Sequence, residues 1–195
     1  MIYKDIIIGN TNSNMVLINK NELTARLGTN VDIESPIIKQ LIDKFNESVT
    51  YRYAFIKVPF KYENGICYFE NESIRSNTLT RVLQNSNEAF LLAVTAGITI
   101  DQLINRASIQ NPVEMFYIDA IASAGIESYI DYVNNLICNG LNVTKRFSPG
   151  YADFPIEFQK YLLNRLSAKE SIGIMLSDDC FMIPTKSITA VIGIK

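Results

Sequence analysis

The sequence predicts an α+β domain, with helices packed on a mostly antiparallel, twisted sheet. Three observations carry that expectation. Strand-like and helical stretches mix without the regular strand–helix–strand repeat that builds a parallel sheet. The pair Asn64-Gly65 lies between Tyr62 and the run Ile66-Cys67-Tyr68, a tight antiparallel hairpin signal. The C-terminal part breaks into short apolar stretches at residues 172–175, 181–183 and 188–194, joined by polar turns.

Residues 1–34 read as an N-terminal strand and turn segment, with a strand at 6–8, a polar turn at Gly9-Asn10-Thr11-Asn12 and a second apolar stretch at 15–18. Residues 35–195 read as the domain proper, one compact unit. Ser35-Pro36 opens a helix, with serine at the N-cap and proline in the first turn. Ile37, Ile38, Leu41, Ile42 and Phe45 then share one face. Residues 51–59 alternate and are rich in aromatics, so they form a strand. Residues 89–96 are continuously apolar up to Gly97, the pattern of a buried strand. The longest helix runs over Pro112–Cys138, with Asn111 as cap and apolar residues recurring from Met115 to Ile137. Within it Ala120, Ala122, Ser123, Ala124 and Gly125 make a small-residue patch that lets a neighbour approach the backbone. A further helix is expected over 155–166.

Composition narrows the chemistry. The chain has 195 residues, 48% of them apolar, and 18 basic against 20 acidic side chains. That balance argues against a nucleic-acid partner gripped through its phosphates. No stretch approaches the ~18 apolar residues of a membrane span, and the start shows no secretory leader. A cytoplasmic location is therefore expected, with Cys67, Cys138 and Cys180 reduced. There is no histidine. Its absence removes Ser-His-Asp and Cys-His catalysis and the commonest zinc ligand, and the cysteines lack metal-binding spacing, so no metal site is expected.

The segment richest in chemistry is Arg146-Phe147-Ser148-Pro149-Gly150-Tyr151-Ala152-Asp153-Phe154-Pro155. Pro149-Gly150 favours a type II turn, with glycine taking the positive φ. Read blandly, the turn connects two elements and Arg146 is a surface charge. Read functionally, the Arg146 fork suits a carboxylate, Tyr151 offers an aromatic face, and together they can hold a zwitterion with an aromatic part. On the long helix Asp119, Ser123, Glu127 and Asp131 are four apart and share a face, which reads as a solvated stripe. Glu127 is also a candidate anchor for an ammonium group. Residues 178–179 and 185–187 read as solvated turns, and Lys186 lacks the glycine-rich loop of a phosphate-binding lysine.

The R-x-x-P-G-Y turn at Arg146–Tyr151, Pro155, the strand-like Ile172-Gly173-Ile174-Met175-Leu176-Ser177 and the Met182-Ile183-Pro184 segment with Ser187 resemble the reactivation domain of cobalamin-dependent methionine synthase. Short stand-alone relatives of that domain in anaerobic bacteria also carry segments like Ala93-Val94-Thr95-Ala96-Gly97-Ile98 and Asp119-Ala120-Ile121-Ala122, so the resemblance spans residues 35–195. It implies an S-adenosylmethionine-binding module that supports reductive remethylation of cob(II)alamin on a separate methionine synthase or related corrinoid methyltransferase. A flavodoxin- or ferredoxin-type protein would donate the electron. Carried over, Arg146 would hold the methionine carboxylate, the backbone around Ser148 and Gly150 would contact the ligand, and Tyr151 would pack on it. One glutamate of the larger domain falls at Ser123, leaving Glu127 one turn away as a replacement. The alternative is a docking module for a corrinoid protein that does not use S-adenosylmethionine.

Overall fold

The computed structural model describes residues 5–195; the first four residues of the N-terminal segment lie outside the described residues. The central strands are β2 (Tyr51–Glu63), β5 (Glu88–Thr95) and β8 (Ser187–Ile194), and every pairing in their sheet is antiparallel. Strands β3 (Ile66–Phe69) and β4 (Glu72–Arg75) extend it, giving the order β4-β3-β2-β5-β8. The first half of β2 pairs on its outer side with β1 (Ile7–Thr11), and its second half pairs with β3. A separate two-stranded ribbon joins β6 (Met175–Leu176) to β7 (Met182–Ile183). The α+β expectation holds: the sheet is antiparallel and curled, with helices against it.

Every residue from Ala89 to Thr95 is buried. Because side chains alternate across a strand, Phe90, Leu92 and Val94 enter one core while Ala89, Leu91 and Ala93 enter another. The first core is closed by α1 (Lys20–Leu27), α2 (Pro36–Ser48), α4 (Ile98–Gln110) and α5 (Pro112–Cys138). On the opposite face lie α3 (Asn77–Val82), α6 (Phe158–Arg165) and α7 (Ala168–Ser171).

Helix α5 has the expected bounds. Asn111 accepts hydrogen bonds from the backbone N–H groups of Val113 and Glu114, and Pro112 follows it. The small-residue patch has a packing role: a Cβ on Gly125 would lie 2.6 Å from Cζ of Phe45 and 3.1 Å from the Tyr51 hydroxyl. Tyr51 also stacks on Tyr129 with ring centroids 4.2 Å apart.

Three expectations need correction. Gly9, Asn10 and Thr11 do not turn; they continue β1 opposite Tyr53, Arg52 and Tyr51, because the β2 edge supplies partners that a local reading does not see. The N-terminal segment also contains α1, capped by the Asn19 side chain, and Val16, Leu23 and Leu27 join the same core as α5. Residues 155–157 precede α6 as a turn, which shortens that helix to Phe158–Arg165.

Candidate functional site

Strand β8 is the last strand of the sheet on its side, and among the described residues only two isolated bridges touch its outer edge, Val143 to Ile194 and Phe147 to Val191. The chain leaving α5 therefore runs along the C-terminal half of β8. Phe147 and Val191 exchange both backbone hydrogen bonds at 2.9 Å. At Ser148 the chain turns away, and the N-terminal half of β8 keeps an open edge. Since Val191 directs its N–H and C=O outward, the two-residue period sends those of Thr189 the same way.

The turn itself matches its sequence. Gly150 has φ of +90° and the Tyr151 N–H donates to the Ser148 carbonyl at 3.4 Å, as a type II turn requires. The Gly150 N–H donates to the Phe154 carbonyl at 2.8 Å, closing the loop. Phe154, 1% exposed, anchors it beneath and stacks against Phe147. Asp153 ties it sideways: its carboxylate accepts from the Ser76 hydroxyl at 2.8 Å and from the backbone N–H groups of Asn77 (2.7 Å) and Thr78 (3.1 Å) at the start of α3. The Ser76 hydrogen bond is the largest of the effects that hold the Asp153 carboxyl low, at about 2.

Between this turn and the open edge lies a cavity of about 340 Å³, within the usual range for small-molecule sites. Arg146, Ser148, Pro149 and Tyr151 line one side, Glu127 of α5 a second, and Ser187, Ile188 and Thr189 of β8 the floor. Phe147, Met182 and Gln159 complete it. Tyr151 is 65% exposed and stands at the rim. Gln159 is 5% exposed, and its Oε1 has no hydrogen-bond partner among the described residues. A buried acceptor without a partner costs about 1–3 kcal/mol.

The α5 stripe is exposed at Asp119 (47%) and Asp131 (61%), as a solvated row would be, but it is not free: cations from other segments pair with it. Nη2 of Arg146 donates to Oε2 of Glu127 at 2.9 Å, and Nη1 is bonded to Asp131. Nζ of Lys186 lies 2.8 Å from both the Ser123 hydroxyl and Oδ1 of Asp119. All four positions are thus engaged by cations from other segments. Nor is the turn at 185–187 free: the Thr185 N–H and hydroxyl donate to Asp101 of α4, and the Ser187 hydroxyl reaches the Pro184 carbonyl.

Among the solved structures that share this architecture, a crystal structure of the MetH reactivation domain bound to AdoHcy (S-adenosylhomocysteine) superimposes with a TM-score of 0.73. The match covers 96% of this chain and 78% of that one at 12% sequence identity. The chain has the fold of that domain. No family model and no curated protein matches the sequence. Among the described residues no helix is long and apolar enough to cross a membrane.

Of the residues singled out from sequence, Arg146, Ser148, Tyr151 and Glu127 line one cavity, whereas Gly150 shapes the turn without lining it. Gln159 escaped the sequence reading; Ser187 was read as part of a solvated turn and of the family resemblance, without its place at an open strand edge. The Gln159 position had a faint local signal, a polar residue on the buried face of an expected helix.

Proposed function

We propose that the cavity binds S-adenosylmethionine and that the protein is a reactivation module for a separate cobalamin-dependent methionine synthase or related corrinoid methyltransferase. One observation carries the reading: in the fold of a domain crystallised with S-adenosylhomocysteine, the R-x-x-P-G-Y turn, Glu127 and an unpaired strand edge enclose a single cavity.

The residues present fit such a ligand. Arg146 offers a planar fork to the amino-acid carboxylate, and Glu127 faces the space its ammonium group would occupy. Backbone groups of Thr189 and of the Ser148–Gly150 turn supply donors and acceptors for the adenosine part, and Tyr151 covers it from the rim. Cobalamin on the partner protein, reduced by a flavodoxin- or ferredoxin-type donor, supplies the nucleophile and methyl acceptor. This chain then needs no acid or base, because the leaving group is a neutral thioether. Its work is to hold the sulphonium methyl in line and screened on one side by the turn. A chain without histidine can do that.

The test is calorimetric titration of the purified protein with S-adenosylmethionine and S-adenosylhomocysteine, repeated with Arg146→Ala. Loss of one charge-assisted contact should weaken binding about 10- to 100-fold. No binding by the wild type at millimolar ligand would refute the methyl-donor role. Co-purification with a corrinoid protein in that case would favour a docking module, a reading supported by the pairing of Arg146 with two carboxylates in the free protein.

A further inference from the structure

Arg146 is the cation best placed to receive a ligand carboxylate, yet both of its terminal nitrogens are engaged within the chain. The two acids it holds differ. Glu127 lines the cavity and its side chain is 34% exposed; Asp131 stands one helical turn further along α5 and is 61% exposed. The Arg146 side chain is 28% exposed, so the pair sits at the protein–water boundary. A zwitterionic ligand would bring one carboxylate and one ammonium group. Glu127 can stay on Nη2 and face the ammonium. Asp131 is the one that yields: a third carboxylate on one guanidinium adds like-charge repulsion, and Asp131 is the more exposed of the two acids already there.

We propose that Asp131 is an internal stand-in for the ligand's carboxylate: it holds the Arg146 fork in the free protein and is displaced on binding, so it sets the affinity of the site. The proposal rests on the S-adenosylmethionine reading above and adds its competitor. Asp131 is suited to the exchange, since an exposed carboxylate is released into water at little cost. Holding the fork also keeps Arg146 aimed at the cavity while no ligand is present. The cost to the ligand is that an ion pair must be broken before one is made.

Replacing Asp131 by asparagine removes the competing charge and keeps the shape. Asp131→Asn should bind S-adenosylhomocysteine more tightly, by about fivefold, the factor that an exposed ion pair is worth. A merely structural role for Asp131 would lower affinity or leave it unchanged. The second probe is 5′-methylthioadenosine, which has the adenosine and thioether but no amino-acid carboxylate. Its affinity should be the same in wild type and Asp131→Asn.

The outcomes separate cleanly in titrations of the full chain. Tighter S-adenosylhomocysteine binding with unchanged methylthioadenosine binding supports the exchange. Binding by Asp131→Asn with none by the wild type overturns it, because the ion pair would then exclude the ligand rather than be exchanged for it. If the wild type binds S-adenosylhomocysteine and Asp131→Asn binds it no better, or tightens both probes equally, the proposal falls while the ligand reading stands. If neither protein binds S-adenosylhomocysteine at millimolar concentration, the ligand reading fails and takes the proposal with it.

Discussion

Gly150 offers a way to separate the binding turn from the stability of the fold. Its φ of +90° lies where an L side chain is strained, at a cost of about 1–2 kcal/mol on substitution by alanine. The added Cβ would meet only the flexible Cδ1 of Ile156 at 2.9 Å, so backbone strain dominates. For a chain of this size each kcal/mol lowers the melting midpoint by about 2–4 °C, so Gly150→Ala should melt roughly 2–8 °C lower. Gly140 supplies a matched control: its φ is +76° and a Cβ there would have nothing within 4 Å. Gly140→Ala should lose a similar amount of stability. The two variants diverge at the ligand. Relieving φ at Gly150 rotates the peptide whose N–H binds the Phe154 carbonyl at 2.8 Å, shifting the segment from Ser148 to Tyr151. Misaligning one hydrogen bond's worth of contact should weaken S-adenosylhomocysteine about three- to tenfold, whereas Gly140→Ala should bind as wild type. Calorimetry alongside thermal melts decides the matter. Wild-type affinity in Gly150→Ala, despite the lowered midpoint, would refute the role assigned to the turn.

Two further predictions concern what holds the site in place. Gly125→Ala drives a methyl against the fully buried Phe45 ring; overpacking of about 1–3 kcal/mol outweighs the helix-propensity gain of about 1 kcal/mol, so the melting midpoint should fall, and a rise would show that the ring yields. Asp153 titrates at about 2 in the folded protein, below the ordinary carboxylate value of about 3.9, so its contribution is present above that value and lost as pH falls toward 2. Asp153→Asn should melt lower at neutral pH and show a shallower loss of stability between roughly pH 4 and 2; an unchanged slope in acid melts would count against the α3 tether.

What the sequence disclosed depended on whether the signal was local. Helix α5 was legible to both ends because its cap, proline and apolar period all lie within the element, and the Asn64-Gly65 hairpin for the same reason. Helix α4 was not, since Gly97 gives it no side-chain cap and it follows directly on a buried strand. Helix α1 buries only Leu23 and Leu27, too few positions to show a period. At the site, the type II turn was readable from Pro149-Gly150. The open edge of Ser187–Thr189 was not, because which strand ends a sheet is decided by pairings between residues about a hundred positions apart. The ion pairs of the acidic row on α5 were missed for the same reason: its partners, Arg146 and Lys186, come from segments that only the tertiary fold brings over the helix.

That row also bears on how such a site could be controlled. Asp119 and Ser123 are held by Lys186, Glu127 and Asp131 by Arg146, so the row on the helix is matched by cations along its length, with Glu127 and Arg146 at the cavity. With no histidine in the chain, no imidazole exists to change that pattern near neutral pH. Rearrangement must come from exchange of one ion pair for another. A zwitterion is suited to that, because it brings a carboxylate for Arg146 in place of Asp131 and an ammonium group for Glu127, and leaves the net charge of the row unchanged. An anion alone would crowd Glu127, and a cation alone would face Arg146. The pairing in the free protein therefore selects for the class of ligand that carries both.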